Sequence, residues 1–200
     1  MTYPKLLCAI SLGSAVAIIG GFMVMSEVRA GELHEAELPI AAQLDADTLE
    51  RASTFAGEYQ YVGGQKERDG IDAAIDLSMD AVSPMLRKLG RSRLEESNTV
   101  PKKLEFRVHG DELEASFDQD SLRASLDGTP KRTTSREGEK VKVSYKLRGG
   151  KIVEFIDGGQ GDRRNTFKLS EDGSRLTMKV EILSGHLPVP VEYKLTYKRK

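Results

Sequence analysis

From Val100 to Lys200 the apolar side chains fall two residues apart, with charge between them. Leu104, Phe106 and Val108 alternate with Lys103, Glu105 and Arg107. Val141, Val143, Tyr145 and Leu147 alternate with Lys140, Lys142 and Lys146, and Leu176, Met178, Val180 and Ile182 with Arg175, Thr177, Lys179 and Glu181. Val189, Val191, Tyr193, Leu195 and Tyr197 close the chain in the same way. Successive side chains of a strand point to opposite faces, so each segment reads as a half-buried antiparallel strand. Asp127-Gly128, Gly149-Gly150, Asp157-Gly158 and Asp172-Gly173 separate the runs, as hairpins require. Strands are expected at 54–62, 104–108, 113–117, 122–126, 129–134 (weakly), 141–147, 152–156, 164–169, 176–183 and 189–197. About ten strands with one apolar face fit a sheet closed on itself, a mainly β, up-and-down antiparallel barrel.

One stretch changes period. Ile71, Ala74, Ile75, Ser78, Met79 and Val82 recur at three and four residues, the signature of an amphipathic helix. Ser83-Pro84 interrupts it, and proline suits the first helical position after a serine cap. Two helices are expected, at 70–81 and 84–94, inserted after the first strand. Asp72, Asp76 and Asp80 form a ladder on the first; it reads as a solvated face rather than a divalent cation site. Arg87, Lys88, Arg91 and Arg93 make the second helix basic. Such a helix either caps the barrel or makes peripheral contact with a membrane. In the capping arrangement Met79, Val82, Met85 and Leu86 face the interior.

The first thirty residues stand apart. Lys5 is the only charge before Glu27, residues 6–25 are uncharged and largely apolar, and Val28-Arg29-Ala30 supplies the small residues of a cleavage site. This reads as a secretory signal (1–30), cleaved to leave Gly31 first; the alternative is an uncleaved anchor in the inner membrane over 6–25. Cys8 is the only cysteine of the chain, so a cleaved protein has no disulfide and no thiolate. That composition fits an exported protein of a bacterial envelope, periplasmic or extracellular. Without residues 1–30 the chain holds 28 basic and 30 acidic residues, which offers no concentrated basic field for nucleic acid. Residues 31–52 read as a polar tether with a helical turn at 46–52, and 53–200 as one barrel domain, expected to be a monomer.

The order of one strand, a helix-turn-helix and then about nine strands resembles the fatty-acid-binding branch of the lipocalin-like (calycin) barrels. Phe55-Ala56-Gly57-Glu58-Tyr59 resembles the Phe-x-Gly-x-Trp of their first strand, with Tyr59 in place of the tryptophan. The resemblance implies a small hydrophobic ligand inside the barrel. Two features depart from it. Fatty-acid binders end on an Arg-x-Tyr pair for the ligand carboxylate, where this chain has Leu195-Thr196-Tyr197. Lipocalins usually carry a disulfide, and a chain without Cys8 has no cysteine to form one.

The side chains expected to line the interior include Phe55, Tyr59, Phe106, Phe117, Tyr145, Val153, Phe155, Met178, Tyr193 and Tyr197, with Met79 and Met85 in the lid. No charged residue falls on the inward register so drawn. An all-apolar list suits a ligand cavity whose only polar handles are tyrosine hydroxyls, and it suits a barrel filled by its own side chains equally. Catalysis is not expected. His34, His109 and His186 show no metal-ligand spacing, Ser184-Gly185-His186 is not a nucleophile elbow, and Gly158-Gly159-Gln160-Gly161 precedes a strand and lacks the lysine of a phosphate loop. The expectation is a non-enzymatic, exported, lipid-binding barrel without cofactor or metal; the alternative is a structural or interaction protein of the envelope with a filled barrel.

Overall fold

The computed structural model describes residues 44–135, 138–159 and 161–200. The segment read as a secretory signal, and most of the tether with His34, lie outside the described residues. The chain runs α1 (Ala46–Ser53), β1 (Gly57–Tyr61), α2 (Gly64–Asp80), α3 (Pro84–Ser97), β2 (Lys103–His109), β3 (Glu112–Phe117), β4 (Asp120–Ser125), β5 (Lys131–Thr134), β6 (Lys140–Arg148), β7 (Lys151–Asp157), β8 (Asp162–Leu169), β9 (Arg175–Leu183) and β10 (Val191–Arg199).

Among the described residues ten strands form one antiparallel sheet in the order β4-β3-β2-β1-β10-β9-β8-β7-β6-β5. Sequence neighbours pair throughout except β4 and β5, and β1 joins β10 through Tyr59↔Arg199 and Tyr61↔Tyr197. The two ends of the sheet, β4 and β5, share no ladder. They are brought together by a single bridge between Asp127 and Lys146, by the Lys131–Glu112 ion pair at 2.8 Å and by the Tyr145 hydroxyl 3.0 Å from the Leu122 carbonyl. The result is a nearly closed barrel with one seam.

The apolar register expected for β2, β3, β6, β9 and β10 is the inward one. Leu104, Phe106, Leu113, Ala115, Val143, Tyr145, Leu176, Met178, Val180, Leu195 and Tyr197 are all buried. Tyr59, in the position of the tryptophan, donates to the Phe55 carbonyl at 2.7 Å. Arg199 lies over its ring, 5.0 Å from the centroid, and donates to its hydroxyl at 2.7 Å and to the Ala56 and Thr54 carbonyls. The start and the end of the barrel are thus tied at one place.

Strand β7 corrects the sequence reading. Ile152 and Glu154 point inward, whereas Val153 and Phe155 face out. The Gly149-Gly150 turn explains it. Both glycines have positive φ, as a two-residue hairpin loop demands. That loop pairs Arg148 with Lys151 and hence Leu147 with Ile152. Antiparallel partners share a face, so an inward Leu147 carries Ile152 and Glu154 inward with it.

Helix α1 falls at the helical turn expected at 46–52, whereas α2 and α3 differ from expectation. Asp45 caps α1 by accepting from the Thr48 amide at 2.7 Å, Ala52 is buried, and Leu44 and Leu49 pack on the core. The folded unit therefore begins before Ser53. Helix α2 starts six residues before the expected position 70, where Glu67 takes up the edge of β10 that β1 has left. Its carboxylate accepts from the Thr196 amide at 2.8 Å and hydroxyl at 2.6 Å. Helix α3 is turned the other way from the lid expectation: Met85 is 90% exposed, Leu86 57% and Leu89 55%.

Candidate functional site

The barrel interior and the helical pair at its side are the places where this fold could receive another molecule. Aromatic rings crowd the interior. Phe106 of β2 meets Phe167 of β8 edge-on at 4.9 Å between centroids, and Phe55 and Tyr59 pack on Phe106 at 6.4 and 6.2 Å. Strands β2 and β8 lie on different walls, with β1, β10 and β9 between them in the sheet. Their rings in contact fill the lumen at that level. Edge-to-face packing is also a favoured arrangement for such rings.

Alongside the rings runs a buried polar chain that the alternation pattern did not reveal. Tyr145 donates to Glu154 Oε1 at 2.7 Å, and Asn165 Nδ2 donates to Glu154 Oε2 at 2.5 Å. Arg163 Nε donates to Asn165 Oδ1 at 3.1 Å, and its Nη2 to the Tyr193 hydroxyl at 3.1 Å. Tyr193 donates in turn to Asn98 Oδ1 at 2.8 Å, and Asn98 Nδ2 donates to the Leu94 carbonyl at 2.7 Å. The chain thus spans from the seam, through β6, β7, β8 and β10, to the C-terminal end of α3. Each member has a partner, the condition under which buried polar groups are tolerated.

Burial pushes the Glu154 carboxyl above its ordinary range, opposed by the hydrogen bonds from Tyr145 and Asn165 and by the charge of Arg163. Burial, with the charge of Glu154 beside it, pushes the Tyr145 phenol well above its ordinary value. Burial also raises Tyr193 and Tyr197. These tyrosines are neutral donors at any physiological pH, and protein groups already occupy their hydroxyls: Tyr197 is 3.2 Å from the Pro101 carbonyl and Tyr61 3.0 Å from that of Gly64.

The residues expected to line a site divide clearly. Phe55, Tyr59, Phe106, Tyr145, Met178, Tyr193 and Tyr197 come together inside the barrel, Phe117 lies half-buried at its rim, and Met79 of α2 is buried over the core. Phe155 is on the outer surface and Met85 is in solvent. Glu154, Asn165, Arg163 and Asn98 were missed. Residues 152–156 are apolar on both parities apart from Glu154, so alternation alone cannot orient them; the two-residue glycine turn could have. Arg163 and Asn165 share the parity of Phe167 and Leu169, so extending that alternation backwards could have placed them inside, whereas Asn98 carries no such signal.

Helix α3 meets α2 through Arg87, Gly90 and Arg91, the opposite side from Met85, Leu86 and Leu89. Arg91 pairs with Asp76, Arg87 lies 3.7 Å from Asp80, and a Cβ on Gly90 would stand 3.0 Å from the Met79 sulfur. Two rungs of the aspartate ladder therefore bind the helices to each other. On its outer side Met85, Leu86 and Leu89 stand in water beside the exposed Lys88 and Arg93, and Leu77 of α2 is 64% exposed. Contiguous exposed apolar patches mark contact surfaces.

Two depressions on the protein hold about 320 and about 560 Å³. The first lies among loop ends at Gly159, Gly161, Ser184 and Gly185; the second lies between α2 and the outward side chains Lys179, Glu192 and Lys194. Among the described residues no three His, Cys, Asp or Glu side chains converge to hold a metal. His109 faces outward, 3.0 Å from Glu114.

No family model matches the sequence, and no curated protein matches it. Solved structures do resemble the fold. A secretory abundant heat soluble protein from Ramazzottius varieornatus shares 13% identity over 74% of this chain and 96% of its own, with a TM-score of 0.49. Fatty-acid-binding protein 1 of Echinococcus granulosus shares 15% over 74% and 98%, with a TM-score of 0.48. A Schistosoma mansoni fatty acid binding protein, solved with arachidonic acid, shares 19% over 75% and 98%, with a TM-score of 0.46. The barrel described above is defined by the ladders themselves.

Proposed function

We propose that this is an exported, non-enzymatic protein that binds a small, lipid-like molecule inside its barrel, reached beside α2 and α3. The observation that supports this reading is the disposition of the helical pair. An apolar barrel is flanked by a helix whose only buried apolar side chain is Leu94, while Met85, Leu86 and Leu89 remain in water. A helix tied to α2 by exposed ion pairs at Arg87 and Arg91, and to the barrel by Asn98, can exchange those weak ties for a turn of that face onto an apolar guest. Binding would also part Phe106 from Phe167, so the site is one that forms with its ligand rather than a preformed lumen. The long, adaptable methionine side chain suits such a contact.

A second reading is supported by the ring contact across the interior. A barrel filled at rest needs no guest, and the apolar face of α3 with Lys88 and Arg93 then serves as a peripheral contact with an anionic membrane surface. The secretory segment at 1–30 supports placement in the periplasm or outside the cell under either reading, and an uncleaved 6–25 segment would hold the same barrel at the inner membrane.

Native mass spectrometry of protein purified from its own host separates the two. Under the first reading it shows a co-purifying apolar molecule, and added long-chain fatty acid forms a one-to-one complex. A protein that carries nothing and takes up no fatty acid, yet sediments with anionic vesicles, would leave the filled barrel with a membrane-facing helix.

A further inference from the structure

The buried Glu154 has a place in the fold that neither reading uses. The seam between β4 and β5 is the one break in the ladder order, and β6 reaches across it through the Tyr145 hydroxyl. That hydroxyl carries one hydrogen and stands within reach of two acceptors: Glu154 Oε1 at 2.7 Å and the Leu122 carbonyl at 3.0 Å. When Glu154 is ionised, it is the stronger acceptor and the nearer one, and the hydrogen goes to it. When Glu154 carries a proton on Oε1, it becomes a donor. Its hydrogen goes to the Tyr145 oxygen, and the Tyr145 hydrogen is released to the Leu122 carbonyl. Asn165 donates to Oε2 in both states.

We propose that Glu154 is a proton-operated latch on this seam, tightening β4 against β6 when it gains a proton and loosening them when it loses one. One solvent proton is taken up, no bond between heavy atoms changes, and no ligand is needed.

The groups that face the latch are few. Arg163 of β8 approaches through Asn165 and favours the ionised form; Tyr193 of β10 binds the far side of Arg163 and stays neutral. Glu114 of β3 acts on Tyr145 from the outer face, where it pairs with His109. Near the seam, Glu112 is bonded to Lys131 and to Arg123 at 2.8 and 2.6 Å. Those cations hold the Glu112 carboxyl below its ordinary range, so the tie it forms outlasts the titration of Glu154, which burial moves upward.

The test is amide hydrogen exchange, corrected for intrinsic rates, across the titration of Glu154 as followed by its side-chain carboxyl carbon shift. In the ligand-free wild type, amides at 120–125 should gain about 3–10-fold in protection as the pH falls through that titration, the worth of one ordinary hydrogen bond. Amides of the β8–β9 pair should not respond. Glu154→Gln, whose amide donates to the Tyr145 oxygen at every pH, should show the tighter seam throughout. Tyr145→Phe should show the looser seam with no pH dependence. Flat protection in the wild type, or the wild-type pH response surviving in either variant, would overturn the latch. Should Glu154→Gln not fold, the wild type and Tyr145→Phe decide the matter. Because no ligand enters the experiment, the outcome is separate from the success or failure of the proposed binding activity.

Discussion

The barrel wall and helix α3 are both amphipathic in sequence, yet they bury their apolar residues to opposite degrees. Phe106 and Tyr145 on the wall are 1% and 0% exposed, whereas Met85 on the helix is 90% exposed. All strands but β4 and β5 have a paired neighbour on each side, and every ladder repeats the same inward-outward choice. A slip of one residue would reverse the whole strand. Helix α3 has no such constraint. Its partners are Asp76 and Asp80 of α2 and the Asn98 end, and these polar contacts fix its rotation with the apolar side in water. Amphipathicity shows that a helix has two faces; what decides the covered one is which face finds a better partner.

The largest expected effect would break the comparison at once. Phe106→Ala removes a ring packed among Phe55, Tyr59 and Phe167 and should cost about 3–5 kcal/mol in urea unfolding. A loss below about 1 kcal/mol would mean that the ring borders open space. Next, Asn98→Ala should cost about 1–3 kcal/mol, since it leaves the buried Tyr193 hydroxyl and Arg163 short of a partner. It should also speed exchange in α3 more than in the strands, because Asn98 ties the helix to the barrel.

The pH dependence sharpens the same contrast from the wall side. The carboxyl of Glu154 is raised in the folded protein, so the fold binds its proton more tightly than the unfolded chain does. The stability due to that proton is fully present below the ordinary glutamate range and is lost as pH rises through the raised value. Glu154→Gln should remove this decline. Carboxyls held low, Asp172 at about 2 among them, act in the opposite sense and lose their contribution only as the pH falls through their own values. A wild type whose stability rises steadily across the mildly acidic range, with the same profile in Glu154→Gln, would contradict the assignment. The smallest effect belongs to Met85→Ser, which should change stability by less than about 0.5 kcal/mol, as surface substitutions do.

Most of the fold was legible because alternation and glycine turns report the same thing twice. Ten strands, the helical insertion and the inward face of β2, β6, β9 and β10 all follow from the period and the turns. The candidate site was less legible. Residues 152–156 are apolar on both parities, so only the hairpin loop at Gly149-Gly150 orients them, and with them Glu154. The lid expectation failed at Met85 because it assumed that an apolar side must be covered. The polar chain from Tyr145 to Asn98 joins residues far apart in sequence, and no local pattern encodes it.

The central claim is that α3 is held by Asn98 and by exposed ion pairs to α2, beside a wall locked by ladders everywhere but at the seam. Hydrogen exchange of the whole chain tests it most directly. Amides at 176–182, with ladders on both sides, and those of 141–147 that bond to β7 should exchange only through global unfolding. Amides at 84–94 should exchange faster by local opening, with α2 between the two, since Ile71, Ile75 and Met79 are buried. A long-chain fatty acid that enters beside the helices should slow 84–94 most. Equal protection of α3 and the strands, unchanged by fatty acid and by Asn98→Ala, would contradict the account.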